Sequence, residues 1–327
     1  MMSRCYPFTS CFAPFIESLI TEKRNAGFQY EHAEWRLHKF DEFCNQELIK
    51  TPVITKELAE KWGTLRKTET KVTLVGRISI LRQLSLYMQA YGIQCYVPRN
   101  FSHKSSHIAY VLSIEEIQSL FQEIDSYQPA VNAEAFHRLA LEYRILFRML
   151  FCCGLRVSEA RKLRLDMADL ENGVLRIYQS KGHNDRLVYL PDDLRQLCCE
   201  YLKTMTVKYK IRSEWFFPAS DPAKVLQVAS IGKRFRLAWG QTPYARKGVL
   251  QPTVHSLRHT FVVLKMNEWM KDGVKLDNMM PYLSKYLGHS SPDDTFYYYH
   301  QVEEAFSIIR QKDQSAVFVI PEVTDEK

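Results

Sequence analysis

The sequence holds eight cysteines but no C-x-x-C pair, so cysteine spacing gives no support to a zinc site. Two pairs are adjacent, Cys152-Cys153 and Cys198-Cys199. Vicinal cysteines make poor disulfide partners because geometry keeps their side chains apart, so reduced thiols are expected. No uncharged apolar run is long enough to span a bilayer. The N-terminus shows no basic stretch followed by a long apolar run. No membrane anchor and no signal peptide are therefore expected, and a cytoplasmic location is. A G-x-x-x-x-G-K-[ST] loop is missing, and so is a convincing carboxylate cluster. No nucleotide, metal or other cofactor is expected. There are no internal repeats and no low-complexity tract.

What is present suits a globular chain. The 327 residues are too many for one small domain and about right for two. Hydrophobic residues make up 46% and charged residues 25%, enough for a proper core. The formal net charge of +7 permits a nucleic-acid partner without proving one.

The first third reads as helices. Phe15, Ile16, Leu19 and Ile20 recur at helical spacing; Trp35, Leu37, Phe40, Phe43 and Cys44 mark a second apolar face; Leu74, Ile78, Leu81, Leu84, Leu86 and Tyr87 mark a third. Pro52 separates two of these helices and Gly92 ends the last. A helical bundle over about residues 10–95 is expected, within a first domain of residues 1–98. The polar, basic stretch from Pro98 to His107 then reads as a linker, residues 99–112. Ser113 and Glu116 form a capping box, so a second domain begins there and runs to 312, followed by a tail, 313–327.

The second domain mixes helix and strand. Helical patterns cover about 133–152 and resume after Gly154. Two short strands, Val174–Tyr178 and Arg186–Leu190, flank the turn-like Lys181-Gly182-His183-Asn184-Asp185, and Pro191 closes this hairpin and starts another helix. The expected fold is mainly α with a small β-sheet.

Four segments hold the residues that could carry chemistry. They are Gly154-Leu155-Arg156-Val157-Ser158-Glu159-Ala160, the hairpin carrying Lys181, His255-Ser256-Leu257-Arg258-His259, and Leu287-Gly288-His289-Ser290-Ser291 followed by Thr295-Phe296-Tyr297-Tyr298-Tyr299-His300. Singly they are weak. An arginine after a turn is usually a solvated helix start, and a lysine at a hairpin tip is usually exposed. His255 and Arg258 share a helix face, a spacing common by chance. A run of tyrosines more often packs than reacts. Together and in this order, they resemble the tyrosine recombinase (phage integrase) family. The matching words are G-L-R-V-S-E, K-G-x-x-x-R, H-x-L-R-H-T and L-G-H-S-S, and the resemblance covers about residues 110–310.

The resemblance implies a helical N-terminal core-binding domain joined to a mixed α/β catalytic domain. It implies six catalytic residues: Arg156, Lys181, His255, Arg258, His289 and Tyr298. In the family the nucleophile lies nine residues after the histidine of L-G-H, with a Thr three before it and a His two after. Tyr298 meets this register, with Thr295 and His300 in place. One small departure is Ala160, where the family commonly has an aliphatic residue after the motif glutamate.

The chemistry fits these residue types. Attack on a phosphodiester adds negative charge, which two guanidiniums can clamp with paired hydrogen bonds, a role for Arg156 and Arg258. His289 can donate a further hydrogen bond. Tyrosine ionises near pH 10, so it needs activation, and His255 is the expected proton acceptor. By resemblance Lys181 is the general acid for the leaving 5′ oxygen, and Glu159 orients Arg156 or a neighbouring backbone group. A covalent 3′-phosphotyrosine conserves the bond energy, so rejoining needs no ATP.

The expected partner is double-stranded DNA at a specific recombination site. Arg66, Lys67, Lys71, Arg77, Arg99, Lys104, Lys233 and Arg234 are candidate DNA contacts. By resemblance, protomers assemble as a tetramer on synapsed DNA and exchange a C-terminal segment; the alternative is that this segment packs on the chain's own core. Val302, Ala305, Phe306, Ile308, Ile309 and the run Ala316–Ile320 supply apolar surface for it. The expected task is integration, excision or transposition of a mobile element. Rival readings are a type IB topoisomerase, a telomere resolvase-like enzyme, and a non-catalytic DNA-binding regulator on the same scaffold.

Overall fold

The computed structural model describes residues 6–28, 30–99, 109–178, 185–246, 249–289, 291 and 293–298, with Asp293 in its backbone only. The chain divides into two compact units, Met1–His107 and Ile108–Lys327.

The first unit has four helices among its described residues: α1 (Ala13–Asn25), α2 (Glu31–Gln46), α3 (Lys56–Trp62) and α4 (Lys71–Ala90). Pro14 sits in the first turn of α1, where its missing N–H costs nothing. The core gathers Ile16 and Leu19 from α1, Leu37, Phe40 and Cys44 from α2, Trp62 from α3, and Leu81, Leu84 and Met88 from α4. The sequence reading passes over α3, which Thr55 opens by accepting a hydrogen bond from the Leu58 amide at 3.2 Å. Two residues assigned to apolar faces turn outward instead. Trp35 is 45% exposed and Leu86 46% exposed. Each lies two positions from a buried leucine, about 200° around the helix.

Arg77 corrects a further expectation. It was a candidate DNA contact, yet it is buried under its own unit. Its guanidinium lies over the Trp62 ring at 4.6 Å, pairs with Glu69 at 2.6 Å and donates to the Trp62 and Thr64 carbonyls. A fork engaged on a carboxylate, two carbonyls and a ring is not offered to a phosphate.

The second unit contains α5 (Ile114–Ser126), α6 (Glu134–Cys152), α7 (Val157–Arg161), β1 (Ala168–Asp169), β2 (Val174–Ile177), β3 (Arg186–Tyr189), α8 (Asp192–Val207), α9 (Val228–Trp239), α10 (Val254–Lys271), α11 (Leu276–Leu287) and α12 (Asp293–Phe296). The capping box forms at α5: Ser113 Oγ accepts from the Glu116 amide at 3.2 Å, and Glu116 Oε2 accepts from the Ser113 amide at 2.9 Å. Ala109 and Leu112 are already buried, so the packing of this unit begins inside the stretch read as linker.

The sheet is antiparallel in the order β1-β2-β3, with Val174 opposite Tyr189 and Ile177 opposite Arg186. Period-2 alternation buries Leu175, Ile177 and Val188 and leaves Arg176, Leu187 and Tyr189 outside. The hairpin appears where the sequence placed it, each strand one residue shorter, with β1 as an unanticipated third strand. The hairpin residues 179–184, including Lys181, lie outside the described residues, as do the tail residues from 299 onward.

Helix α6 runs through the core and packs against α8 and α10. Phe147 of α6 is fully buried in one core with Phe216, Phe217 and Phe235, each worth about 1.5–3 kcal/mol of transfer free energy. Arg138 on α6 is buried against Glu142 and donates to the Ala219 carbonyl at 2.6 Å, tying the segment before α9 to the core. Among the described residues, no helix is long and apolar enough to cross a membrane.

Candidate active site

The site forms where α6, α7, α10 and α11 bring their ends together. Gly154 ends the α6 segment with φ +61°, and a Cβ there would stand 2.5 Å from the Phe261 ring. Only glycine fits this left-handed, crowded position. The chain can then turn tightly into Arg156 at the start of α7.

Glu159, three residues on, is buried and receives four hydrogen bonds. Its Oε2 accepts from the Arg156 amide at 2.8 Å and Arg186 Nη2 at 2.8 Å; its Oε1 accepts from Arg156 Nη1 at 2.8 Å and Arg186 Nη1 at 2.9 Å. Burial by itself would raise this carboxyl, but Arg186 and then Arg156 outweigh burial and hold it below the usual carboxylate range. Arg186 ends the K-G-x-x-x-R word but is not among the six residues the resemblance implies. Its charge opposite Glu159 is what makes the carboxylate a bridge between two guanidiniums.

The last carbonyls of a helix lack partners inside it. At the end of α11 three arginines satisfy them: Arg186 Nε takes Tyr286 O at 2.6 Å, Arg258 Nη2 takes Leu287 O at 2.8 Å, and Arg156 Nη2 takes Gly288 O at 2.6 Å. The negative end of the helix dipole favours cations there. Gly288 has φ +66°, and a Cβ on it would meet Arg186 Nη1 at 2.9 Å. The glycine therefore lets the guanidiniums close in.

Helix α10 delivers His255, Arg258 and His259. Arg258 is only 2% exposed and also donates to Gly154 O at 2.5 Å. Among the described residues its hydrogen bonds go to carbonyls and a histidine, and none to a carboxylate. Burial, then the neighbouring Arg156, lowers its pKa to about 10, so it stays charged at neutral pH. Three guanidiniums facing one carboxylate leave this end of the unit positive.

His289 lies between Arg258 and α12. Its Nε2 is 3.0 Å from Arg258 Nη2 and its Nδ1 is 2.6 Å from Thr295 Oγ1. A guanidinium only donates, so Nε2 accepts and Nδ1 carries the proton toward the threonine hydroxyl, a tautomer assigned from the network. Burial and the charges of Arg258, Arg156 and Arg186 lower the His289 pKa to about 3. His255 has a face open to solvent, yet protein crowds round it. That crowding, with the charges of Arg258 and Arg156, lowers its pKa to about 4.

Tyr298 is 4% exposed, whereas its neighbour Tyr297 is 37% exposed. Tyr299 lies outside the described residues. Burial pushes the Tyr298 phenol up to about 12, against the opposing pull of Arg258. Its hydroxyl is 2.6 Å from Nδ1 of His259. His255 was the expected proton acceptor for the phenol. Instead His255 sets its ring edge-to-face against His259, centroids 4.4 Å apart, and His259 meets the tyrosine. His259 stood in plain view in the H-x-L-R-H-T word, but its neighbour in the motif drew the assignment.

The structure thus gathers Arg156, Glu159, His255, Arg258, His289 and Tyr298 at one place, joined by Arg186, His259 and Thr295. Lys181 and Lys104 lie outside the described residues. Of the candidate DNA contacts, Arg66, Lys67, Lys71, Arg99 and Lys233 are exposed. Arg234, like Arg77, departs from expectation: it is buried, with its guanidinium 3.2 Å from the centre of the Tyr127 ring. Its helix position faces the core beside Phe235 and Ile231 rather than the surface. Among the described residues, no group of three His, Cys, Asp or Glu side chains could hold a metal ion.

Comparison with known proteins gives a consistent picture. The model of the phage integrase family matches residues 111–305. A putative integrase/recombinase of Sinorhizobium fredii, y4rB, is 27% identical over 298 residues, covering 88% of this chain and 92% of that protein. Tyrosine recombinase XerD of Lacticaseibacillus casei is 28% identical over 200 residues, 60% of each chain. Among solved structures, XerH site-specific recombinase bound to palindromic difH substrate in a post-cleavage complex superposes with a TM-score of 0.64. It is 20% identical and covers 91% of this chain and 83% of that one, so the likeness shows the fold.

Proposed function

The chain belongs to the phage integrase family and is a tyrosine-type DNA strand transferase, and on that premise we propose that Tyr298 is the nucleophile with which it cuts and rejoins DNA at a specific site. The observation that carries this reading is the inward turn of Tyr298, within a run of three tyrosines, with its hydroxyl 2.6 Å from His259 and within electrostatic reach of Arg258. The phenol oxygen attacks the phosphorus, and the 5′ oxygen departs. Arg156 and Arg258 hold the non-bridging oxygens where charge accumulates. Glu159 and the α11 carbonyls fix both forks before DNA arrives, so little reorganisation is left for the transition state. Arg258 is a buried cation lacking a carboxylate bond among the described residues, and the phosphodiester supplies the anion it lacks.

His289 donates to the same phosphate once Arg258 turns its donor to the anion. Exchange of the ring proton with solvent gives the other tautomer, in which Nε2–H faces the phosphate and Nδ1 accepts a hydrogen bond from the Thr295 hydroxyl, which keeps its proton. Lys181 supplies the proton for the 5′ oxygen. Exposed Arg66, Lys67, Lys71, Arg99 and Lys233 position the duplex through its phosphates. The task is integration, excision or transposition of a mobile element within the cytoplasm.

A suicide DNA substrate tests the nucleophile. Wild type and Tyr297→Phe trap DNA covalently, and Tyr298→Phe does not; trapping that survives Tyr298→Phe sinks the assignment. For Lys181, a substrate with sulfur at the 5′ bridging position rescues Lys181→Ala, since a thiolate leaves without a proton. Absence of rescue points to another acid.

The working assembly is a tetramer on synapsed DNA whose protomers exchange their C-terminal segments. A largely apolar groove of about 650 Å³, lined by Phe151, Phe261, Leu264, Trp269, Tyr282 and Tyr286, is the acceptor. Removing residues 303–327 abolishes synaptic assembly while leaving single-site binding; intact synapsis refutes the exchange.

A further inference from the structure

We propose that His259 takes the phenolic proton of Tyr298 during strand cleavage and returns it during rejoining. The inference rests on Tyr298 being the nucleophile. His259 Nδ1 lies 2.6 Å from the Tyr298 oxygen, within the reach that direct proton transfer needs. The rings stand 5.2 Å apart at an interplanar angle of 47°, so the contact is at the hydroxyl and not a face-to-face stack.

The other two histidines of the site are engaged differently. His289 spends Nδ1 on Thr295 and turns Nε2 toward Arg258. His255 sits one helical turn before His259, with its ring nearly perpendicular to it at 75°, and among the described residues it makes no hydrogen bond to the phenol. His255 also has two guanidiniums as neighbours, Arg258 and Arg156, which oppose its taking a proton. Tyr298 is buried and stays neutral in the DNA-free protein, so its O–H has a proton to give, and the His259 tautomer with a bare Nδ1, assigned from this pairing, accepts it.

The step balances without any outside reagent. The bond between the Tyr298 oxygen and phosphorus forms as the bond from phosphorus to the 5′ oxygen breaks. The phenolic proton passes to His259 Nδ1, giving an imidazolium. The electron pair leaves with the 5′ oxygen, which is protonated by the general acid. Rejoining runs the sequence backward: the incoming 5′-hydroxyl returns a proton to that acid, and the departing tyrosine oxygen recovers its own from His259. The phosphodiester brings negative charge beside Arg156 and Arg258, which eases formation of a cation on His259.

The test is the single-turnover rate of covalent complex formation by the full-length protein on a suicide duplex. His259→Gln keeps an amide that can hydrogen-bond the phenol but cannot take up a proton. It should lower the rate by about 10²–10³-fold while DNA affinity stays within about twofold, as expected for loss of a general base. A ring-fluorinated tyrosine at position 298, whose phenol ionises more readily, should restore about tenfold of that loss or more in His259→Gln. The same analogue should restore little to Arg156→Lys or His255→Gln, whose defects lie elsewhere. His259→Asn carries the same expectations and is measured alongside, so a folding defect in one variant does not decide the matter. Cleavage by His259→Gln within about threefold of wild type, or no gain from the fluorinated tyrosine in either variant, overturns the proposal. Trapping that persists in Tyr298→Phe would instead remove the nucleophile assignment, a separate outcome.

Discussion

Replacing Glu159 by Gln should cost the second unit about 3–5 kcal/mol, although the side chain keeps its size. The carboxylate receives four hydrogen bonds, two on each oxygen, from Arg156 and Arg186. An amide can accept on one side only. Whichever oxygen becomes nitrogen, two donors lose their acceptor and face N–H groups instead. Two hydrogen bonds to a charged group are worth about 3–6 kcal/mol together. That agrees with the cost of breaking a buried ion pair by removing one partner. For a unit of this size the midpoint of thermal unfolding should fall by about 6–20 °C, read by calorimetry on the full chain. The acid limb should change too. The folded-state pKa of Glu159 is depressed, so its contribution is fully present above about pH 4.3 and lost as pH falls through the lower folded value. Glu159→Gln removes that limb. Adding Arg186→Met should recover part of the loss, because one uncompensated buried cation disappears. A change in stability below about 1 kcal/mol, the range of exposed pairs, would refute the reasoning.

Thr295→Val removes the partner of His289 Nδ1 with little change in shape, so strand cleavage should fall about 10- to 100-fold while Thr295→Ser keeps most of the rate. Because burial and three arginines depress His289 to about 3, its neutral form stabilises the fold above about pH 6.5, and that contribution is lost as pH falls toward 3; urea midpoints should drop on acidification less steeply in His289→Gln than in wild type. Arg77→Ala should destabilise the first unit by about 3–5 kcal/mol, whereas Lys67→Ala should leave stability unchanged and lower the salt slope of DNA binding by about one unit.

Residue types and their spacing were enough to point to the family and to much of the local structure. Motif words in a fixed order pointed to the family, and these depend on residue type and spacing alone. Ser113 with Glu116 announced a helix start, and the alternation across Leu175, Ile177 and Val188 announced a hairpin with one buried face. Such features are local, so they survive in a one-dimensional reading. Spacing could not say which side chains meet across the fold. His255 and His259 are one turn apart on α10, and which of them touches Tyr298 depends on where the chain returns 39 residues later. Arg186 completes the Glu159 bridge from a strand 27 residues away. Arg77 and Arg234 look like surface cations in the sequence, yet packing turned both guanidiniums onto aromatic rings, where the burial of the helix face outweighs the pull of water on one charge. Tertiary contact alone decided those partners, because the energy of a buried ion pair or hydrogen bond depends on distance and enclosure, which the order of residues does not record.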